Sequence, residues 1–384
     1  MQNENSDIAI VAIAYNRPAS LKRLIDSLVA ADYLGDKIDL IISVDYSETT
    51  TVREYTATVE WPHGQKKLIF HPRRLGLKSH ILKCGDLTDQ YKHLCVFEDD
   101  IYVSQAYYNF ARAAIEHFDS WDNVAGISLY AYEWNPYVDR PFKAVEDGFD
   151  AYLMQIASSW GQIWSRNSWK QFREWLHGKA DEDLFHIDVP VEVANWSAKS
   201  WLKFHDAYLV DKRKFFVHPK ISLTTNFSDP GEHASGSLAY QVPLLMGVGR
   251  KYCFPKSIFE ATRYDAFFES INLKEVLAEK YKDIEIDLYG NKPIKARYLV
   301  TDKVLGYQVV ASYGMKLRPI ELNISNSIPG NDIFVYDTHK IKKNNRSVLK
   351  SRVHRFLFEA RSSAKREMVL GGAYLFIKSF LRRL

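Results

Sequence analysis

The run Cys95-Val96-Phe97-Glu98-Asp99-Asp100-Ile101 constrains the fold of this chain more than any other feature. Apolar residues lead straight into three acids. Tyr107, Phe110, Ala111, Ala114, Ile115 and Phe118 then recur at helical spacing, with Ser104 placed to cap the helix. A buried strand, a polar break and an amphipathic helix put the carboxylates at the C-terminal end of a strand, where open α/β sheets bind ligands. Acids massed there repel one another, and no neighbouring Lys or Arg pairs with them in the sequence. A hard divalent cation carrying a phosphate would justify them. A solvated acidic turn is the alternative for so short a motif.

The same arrangement recurs upstream. Residues 8–14 form a near-continuous apolar run, as a central parallel strand requires. It ends at Tyr15-Asn16-Arg17-Pro18, and Leu21, Leu24, Ile25, Leu28 and Val29 then line one helical face. Strands are expected at 38–44, ending at Asp45, at 67–70, leading into His71 to Lys78, and at 94–97 with the acids. Polar residues at every strand end predict an α/β fold, a doubly wound and mostly parallel sheet with one shared active edge. No GxGxxG or GxxxxGK[ST] run occurs, which disfavours a dinucleotide fold or a P-loop.

A chain of 384 residues is long for one core. The expected organisation is a main domain over 1–250, a small α/β accessory region over 251–339 and a basic helical tail over 340–384. Within the accessory region a helix is expected at 275–281 and strands at 284–290, 300–313 and 331–336. From 340 onward there are 13 Lys/Arg against 2 acids, so the remainder is mildly acidic and the tail faces an anionic surface. Cys84, Cys95 and Cys253 have no pairing or CxxC spacing, which points to a reducing compartment and away from structural zinc. No signal peptide and no membrane-spanning run is expected, so the localisation is read as cytoplasmic.

These residues resemble the GT-A glycosyltransferases over roughly 8–250. The likeness is to bacterial family-2-type enzymes and to the eukaryotic N-acetylglucosaminyltransferase that begins complex N-glycans. Ala14-Tyr15-Asn16-Arg17-Pro18 looks like the opening nucleotide-binding turn, and Ser43-Val44-Asp45 like the second-strand acid that contacts base or ribose. Arg74-Leu75-Gly76-Leu77 is similar to the family's Asn-x-Gly-Leu segment, with Arg in place of Asn. Glu98-Asp99-Asp100 matches the DxD-type metal motif, and Ser159-Trp160-Gly161-Gln162-Ile163-Trp164 resembles the acceptor-side Gly-Trp segment. His218 to Phe227, followed by Gly231-Glu232-His233, resembles the stretch that closes over the donor.

The resemblance implies a metal-dependent glycosyltransferase, using Mn2+ or Mg2+ and a nucleotide-sugar, in the first instance a UDP-sugar. It implies Asp100, with Glu98 and His233, as metal ligands and Ala14, Asn16, Arg17, Asp45, Arg74, Lys78 and Asp99 at the donor. Each basic residue among them could instead be a solvated surface charge, and Asp45 a turn or capping residue. Inverting transfer needs a base for the acceptor hydroxyl. Leu202 stands where many relatives carry that Asp, which leaves Asp206, with Asp188 and His205 in reserve; the alternative for Asp206 is a helix-surface acid. The acceptor is expected to be a surface glycan or lipid-linked glycan, and no nucleic acid is expected. The tail would hold the protein to the inner face of the cell membrane, or its apolar face would pack on the body or on a second subunit. A non-catalytic glycan-binding or scaffold protein and a sugar nucleotidyltransferase are the rival readings.

Overall fold

The computed structural model describes residues 7–229, 239–360, 369 and 371–373. The chain divides into two units, Met1–Asn272 and Leu273–Leu384. The first break therefore falls later than residue 250. Tyr252 and Phe254 pack with Phe110 at ring distances of 5.2 and 5.9 Å, and Arg263–Tyr264 adds an edge strand to the first unit's sheet.

The first unit contains β1 (Ile8–Ala14), α1 (Pro18–Val29), β2 (Asp39–Val44), α2 (Thr51–Thr58), β3 (Lys66–Phe70), α3 (Leu77–Gly85), β4 (His93–Glu98), β5 (Ile101–Val103), α4 (Tyr107–Phe118) and β6 (Val124–Ser128). Then come the short pair β7 (Trp134–Asn135) and β8 (Arg140–Pro141), β9 (Ala151–Met154), β10 (Gln162–Ser165), α5 (Arg166–Leu176), α6 (Val191–Ala194), α7 (Leu202–Asp211), β11 (Phe215–Pro219), β12 (Thr224–Asn226) and β13 (Arg263–Tyr264). Nine strands form one sheet in the order β13-β9-β11-β6-β10-β4-β1-β2-β3. Five of its eight pairings are parallel, and β10 enters antiparallel between β4 and β6.

β1 explains how this sheet is covered. Successive side chains of a strand point to opposite faces, and β1 is apolar on both. Ile10, Ala12 and Ala14 join a core with α1 and α4, whereas Ala9, Val11 and Ile13 join one with α3, α5 and α7. Pro18 sits in the first turn of α1, where its missing N–H costs nothing. Ser104 does not cap α4 directly: the helix starts at Tyr107, and Ser104 builds the turn before it by accepting from Ala106 N–H at 3.0 Å.

The second unit holds α8 (Ile271–Ala278, most of it), β14 (Ile284–Asp287), β15 (Tyr298–Thr301), β16 (Tyr307–Tyr313), α9 (Leu322–Ser325), β17 (Ile333–Ile341) and α10 (Val348–Ala360). Its four strands run in the order β14-β15-β17-β16 over a core of Leu273, Ile284, Ile286, Val300, Ile324, Ile333 and Val335. The 300–313 region makes two strands rather than one, and β17 carries the sheet past 340. The accessory region and the first part of the tail thus share one unit, because Phe358 of α10 packs against the same core.

Gly85 ends α3 against an immovable neighbour. A Cβ there would lie 2.1 Å from the Trp169 ring. That ring is stacked on Trp164 at 4.2 Å and held to Asp86 by its indole N–H at 2.9 Å. Gly85→Ala is expected to cost about 1–3 kcal/mol through overpacking, read as a lowered urea midpoint by tryptophan fluorescence. An unchanged midpoint would mean that the ring yields.

Candidate functional site

Parallel register aligns the strand ends. Ala14 lies beside Val44, Ile13 beside Glu98 and Val44 beside Phe70. The residues that follow, Tyr15 to Arg17, Asp45, His71 and Asp99-Asp100, therefore leave the sheet at one edge. Ala14 itself is buried, and its carbonyl accepts from Asp45 N–H at 2.9 Å. Asn16 is exposed at that edge.

The acids are not left to repel one another. Arg17, at the N-terminal end of α1, sets its guanidinium on Asp99 and lies 3.4 Å from Asp100 Oδ2. Arg17 thus stands as counter-ion to the acids. Burial still outweighs Arg17 and pushes the Asp99 carboxyl up to about 6. Glu98 is also raised, first by burial and then by Asp100 and Asp99. Asp100 takes Phe227 N–H on its backbone oxygen at 3.0 Å, and its Oδ1 is buried without a hydrogen-bond partner. Among the described residues no group of three or more His, Cys, Asp or Glu is arranged to hold a metal ion. His233 lies outside the described residues.

Arg17 also ties the acids to the turn after β12. Its Nη1 donates to the Asp229 backbone oxygen at 3.4 Å. The Asp229 carboxylate takes Ser20 Oγ–H at 2.7 Å and pairs with Arg23, whose guanidinium lies 3.9 Å from the Phe227 ring centre. β12 pairs with β5, directly after the acids. Sequence reasoning missed Asp229 and Arg23. The signal available was the spacing Arg17, Ser20, Arg23, which puts three donors near one side of the first turns of α1.

Asp45 is engaged by backbone N–H groups, as the turn reading allows. Its Oδ1 accepts from Tyr46 and Leu75 N–H, both at 2.8 Å, and its Oδ2 accepts from Gly76 N–H at 3.0 Å. The carboxylate therefore clamps the loop that starts α3. Arg74 lies over Tyr15, 4.2 Å from the ring centre, and donates to its hydroxyl. Lys78 turns toward α7, with Nζ 3.6 Å from the Phe204 ring centre and 3.3 Å from the Ala198 carbonyl, and burial lowers its pKa.

Asp206 is no helix-surface acid. α7 is buried along most of its length, and Asp206 Oδ1 accepts Ala157 N–H at 2.8 Å. Its Oδ2 is buried without a hydrogen-bond partner, and burial drives the carboxyl well above its usual range. His205 stacks on Phe172 at 4.2 Å, and burial lowers it to about 3, so this ring is core. Asp188 is exposed between α5 and α6. The unsatisfied carboxylate oxygens Asp100 Oδ1 and Asp206 Oδ2 thus belong to separate clusters within the first unit, and Glu192 Oε2 is a third such oxygen.

Aromatic rings line the ground beside Asp206. Trp160 meets Tyr130 at 4.7 Å and Tyr240 at 4.8 Å, while Phe268 meets Tyr132 at 5.3 Å and Tyr137 at 5.7 Å. Trp164, Trp169 and Trp201 are core residues, and Trp160 is half-buried. Gly161 has φ +92°, and a Cβ there would stand 2.8 Å from Thr224 and 3.2 Å from Phe97. Only glycine lets the Trp160 segment lie this close to the strand that ends in the acids.

No protein-family model matches the chain, and no curated protein matches it. Among solved structures, it overlaps S. aureus TarS 1-349 in complex with UDP-GlcNAc at a TM-score of 0.39 and 15% identity, covering 60% of this chain and 61% of that one. It overlaps the mannosyltransferase PcManGT from Pyrobaculum calidifontis, solved with GDP-Man and Mn2+, at 0.35 and 12%, covering 60% and 59%. This chain therefore spans about three fifths of these structures. Neither is the N-acetylglucosaminyltransferase that begins complex N-glycans, so that finer likeness stays an expectation.

Asp45 offers a direct test of clamp against ligand contact. Asp45→Ala strands the N–H groups of Tyr46, Leu75 and Gly76 and is expected to lower the stability of the ligand-free protein by about 1–3 kcal/mol. A residue that served only a nucleotide would leave ligand-free unfolding unchanged.

Proposed function

We propose that the chain is a glycosyltransferase that moves a sugar from a nucleotide-sugar, in the first instance a UDP-sugar, to a glycan or lipid-linked glycan acceptor, with inversion. The observation that carries this reading is the Glu98–Asp100 cluster at the carboxyl edge of a mostly parallel sheet, with Asp100 Oδ1 buried and unsatisfied. The aromatic ground around Trp160, tied through Gly161 to Phe97, supports a sugar-binding surface on the same unit.

The donor set suits a divalent cation. Carboxylate oxygens are the ligands Mn2+ and Mg2+ prefer, and Asp100 Oδ1 lacks any other partner. Asp100 would hold such an ion, with Asp99 assisting once Arg17 turns aside. When bound, the ion supplies positive charge to the departing diphosphate. Arg17, released from the acids, has a guanidinium suited to the same phosphates. Asp206 is the residue assigned to take the acceptor proton, and the rings beside it orient the sugar by stacking. Hexosyl and N-acetylhexosaminyl donors both fit this reading, as does a cytoplasmic location. The second reading, a non-catalytic glycan-binding protein, is favoured by one observation: Arg17 already pairs with Asp99 and Asp100.

Two measurements separate them. Mn2+ is expected to raise the melting temperature, and increasingly so as pH rises through about 6. The reason is that the Asp99 carboxyl is raised to about 6 and must shed its proton before it can bind a cation. Asp100→Ala should abolish that shift, and a shift that survives removes the acids from metal binding. Asp206→Asn is expected to cut turnover about 10² to 10⁴-fold, the usual scale for loss of a general base, while donor binding in calorimetry persists. Near-normal turnover would return Asp206 to a structural role. A panel of UDP-, GDP- and dTDP-sugars with Mn2+, followed by thermal shift and donor hydrolysis, tests the reaction class itself. No shift and no hydrolysis with any of them would favour the non-catalytic reading.

A further inference from the structure

α10 is assembled inside out. The residues it turns toward its own unit are Ser351, Arg355 and Phe358. Ser351 Oγ–H donates to the Asp302 carbonyl at 3.3 Å. Arg355 is only 3% exposed and lies 3.4 Å from Asp302 Oδ2, with Glu359 paired to its Nε at 2.5 Å. Phe358 packs on the core and carries the Arg318 guanidinium 4.2 Å from its ring centre. The large apolar residues point the other way: Leu349 is 72% and Phe356 54% exposed, and Val348, Val353 and Leu357 are exposed with them. At 3.6 residues per turn, Leu349, Val353, Phe356 and Leu357 fall within an arc of roughly 100°. Arg352 borders this arc on one side and Lys350 on the other.

An amphipathic helix that serves only its own domain buries its apolar stripe and exposes its charges. This one exposes its apolar stripe along with most of its charges, and contiguous exposed apolar surface marks a place built to be covered. The charges around it say by what. Between 340 and 360 there are seven Lys/Arg and one acid, Glu359. Lys340, Lys342, Lys343, Arg346, Lys350 and Arg352 are all exposed, and Ile341 stands 89% exposed among them. A second copy laid on this face would bring the same positive charge against it. Residues 361–384 carry six Lys/Arg and one acid, so this stretch of the chain would meet the same repulsion. Among the described residues no helix is long and apolar enough to cross a membrane.

We infer that α10, with the basic segment before it, is a docking face for an anionic membrane surface. Leu349, Val353, Phe356 and Leu357 enter the acyl boundary, and the surrounding Lys and Arg meet the lipid phosphates. The inference rests on the second unit alone and stands whether or not the proposed transfer reaction is right.

The test is co-sedimentation of the full chain with vesicles containing about one third phosphatidylglycerol, against pure phosphatidylcholine, at about 0.1 M salt. The protein is expected to bind the anionic vesicles and not the neutral ones. The double variant Leu349→Asp/Phe356→Asp is expected to bind at least about tenfold more weakly with an unchanged melting temperature, since both side chains are exposed. Lys350→Glu/Arg352→Glu should also weaken binding and flatten its salt dependence. Equal binding to neutral vesicles, or undiminished binding by the apolar variant, overturns the proposal. So does a dimer in sedimentation equilibrium that the apolar variant dissociates, which would give this face to a second copy.

Discussion

Three carboxylates at the end of one strand are tolerable only if something positive stands among them, and in this fold that is Arg17. Its guanidinium reaches Asp99 and Asp100 at once and touches the backbone oxygen of Asp229. Much of the edge is arranged around that contact. Pro18 starts α1 directly after Arg17, which fixes where the side chain leaves the backbone. Parallel pairing of β1 with β4 fixes where the acids leave theirs. Ser20 and Arg23 hold the Asp229 carboxylate, so the turn after β12 is gathered to the same helix. A single cation of the chain thus joins a strand end, a helix start and a returning loop. An exchange of Arg17 for a divalent ion would loosen all three together.

The parts legible in the sequence are those that depend on local period. β1 is apolar on both faces because it is central, and the alternation that divides its residues between two cores follows from strand geometry. The acids at the end of β4 and the helix after them were legible for the same reason. Arg17 was not legible as the partner of Asp99, since 82 residues separate them and nothing local distinguishes a phosphate-binding arginine from a counter-ion. The insertion of β10 between β4 and β6 was equally hidden. Gln162–Ser165 is four residues long, too short for a period to declare it.

α10 illustrates what periodicity leaves open. Val353, Phe356 and Leu357 announce an apolar face from sequence alone, but the spacing does not say which way that face turns. The decision is made by Asp302, 53 residues before Arg355, which draws the arginine inward and so rotates the apolar stripe outward. A buried ion pair of this kind gives little net stability because both charges lose their hydration. Its effect here is orientation, setting the face that α10 presents.

Asp206 bears on the choice between an enzyme and a binding protein in a different way. Burial drives the Asp206 carboxyl well above its usual range and so favours its protonated form, and a protonated carboxyl cannot accept a proton. For Asp206 to serve as base, its unsatisfied Oδ2 must gain a polar neighbour that stabilises the charged form. Tyr132 and Tyr137 lie close enough to interact electrostatically with this carboxyl, and an acceptor hydroxyl stacked beside them is the neighbour the proposed reaction would provide. On that account the acceptor itself tunes its base, and proton abstraction waits for the complex. In a protein that only binds glycan the same oxygen has no such requirement to meet, and its isolation would persist in the bound state.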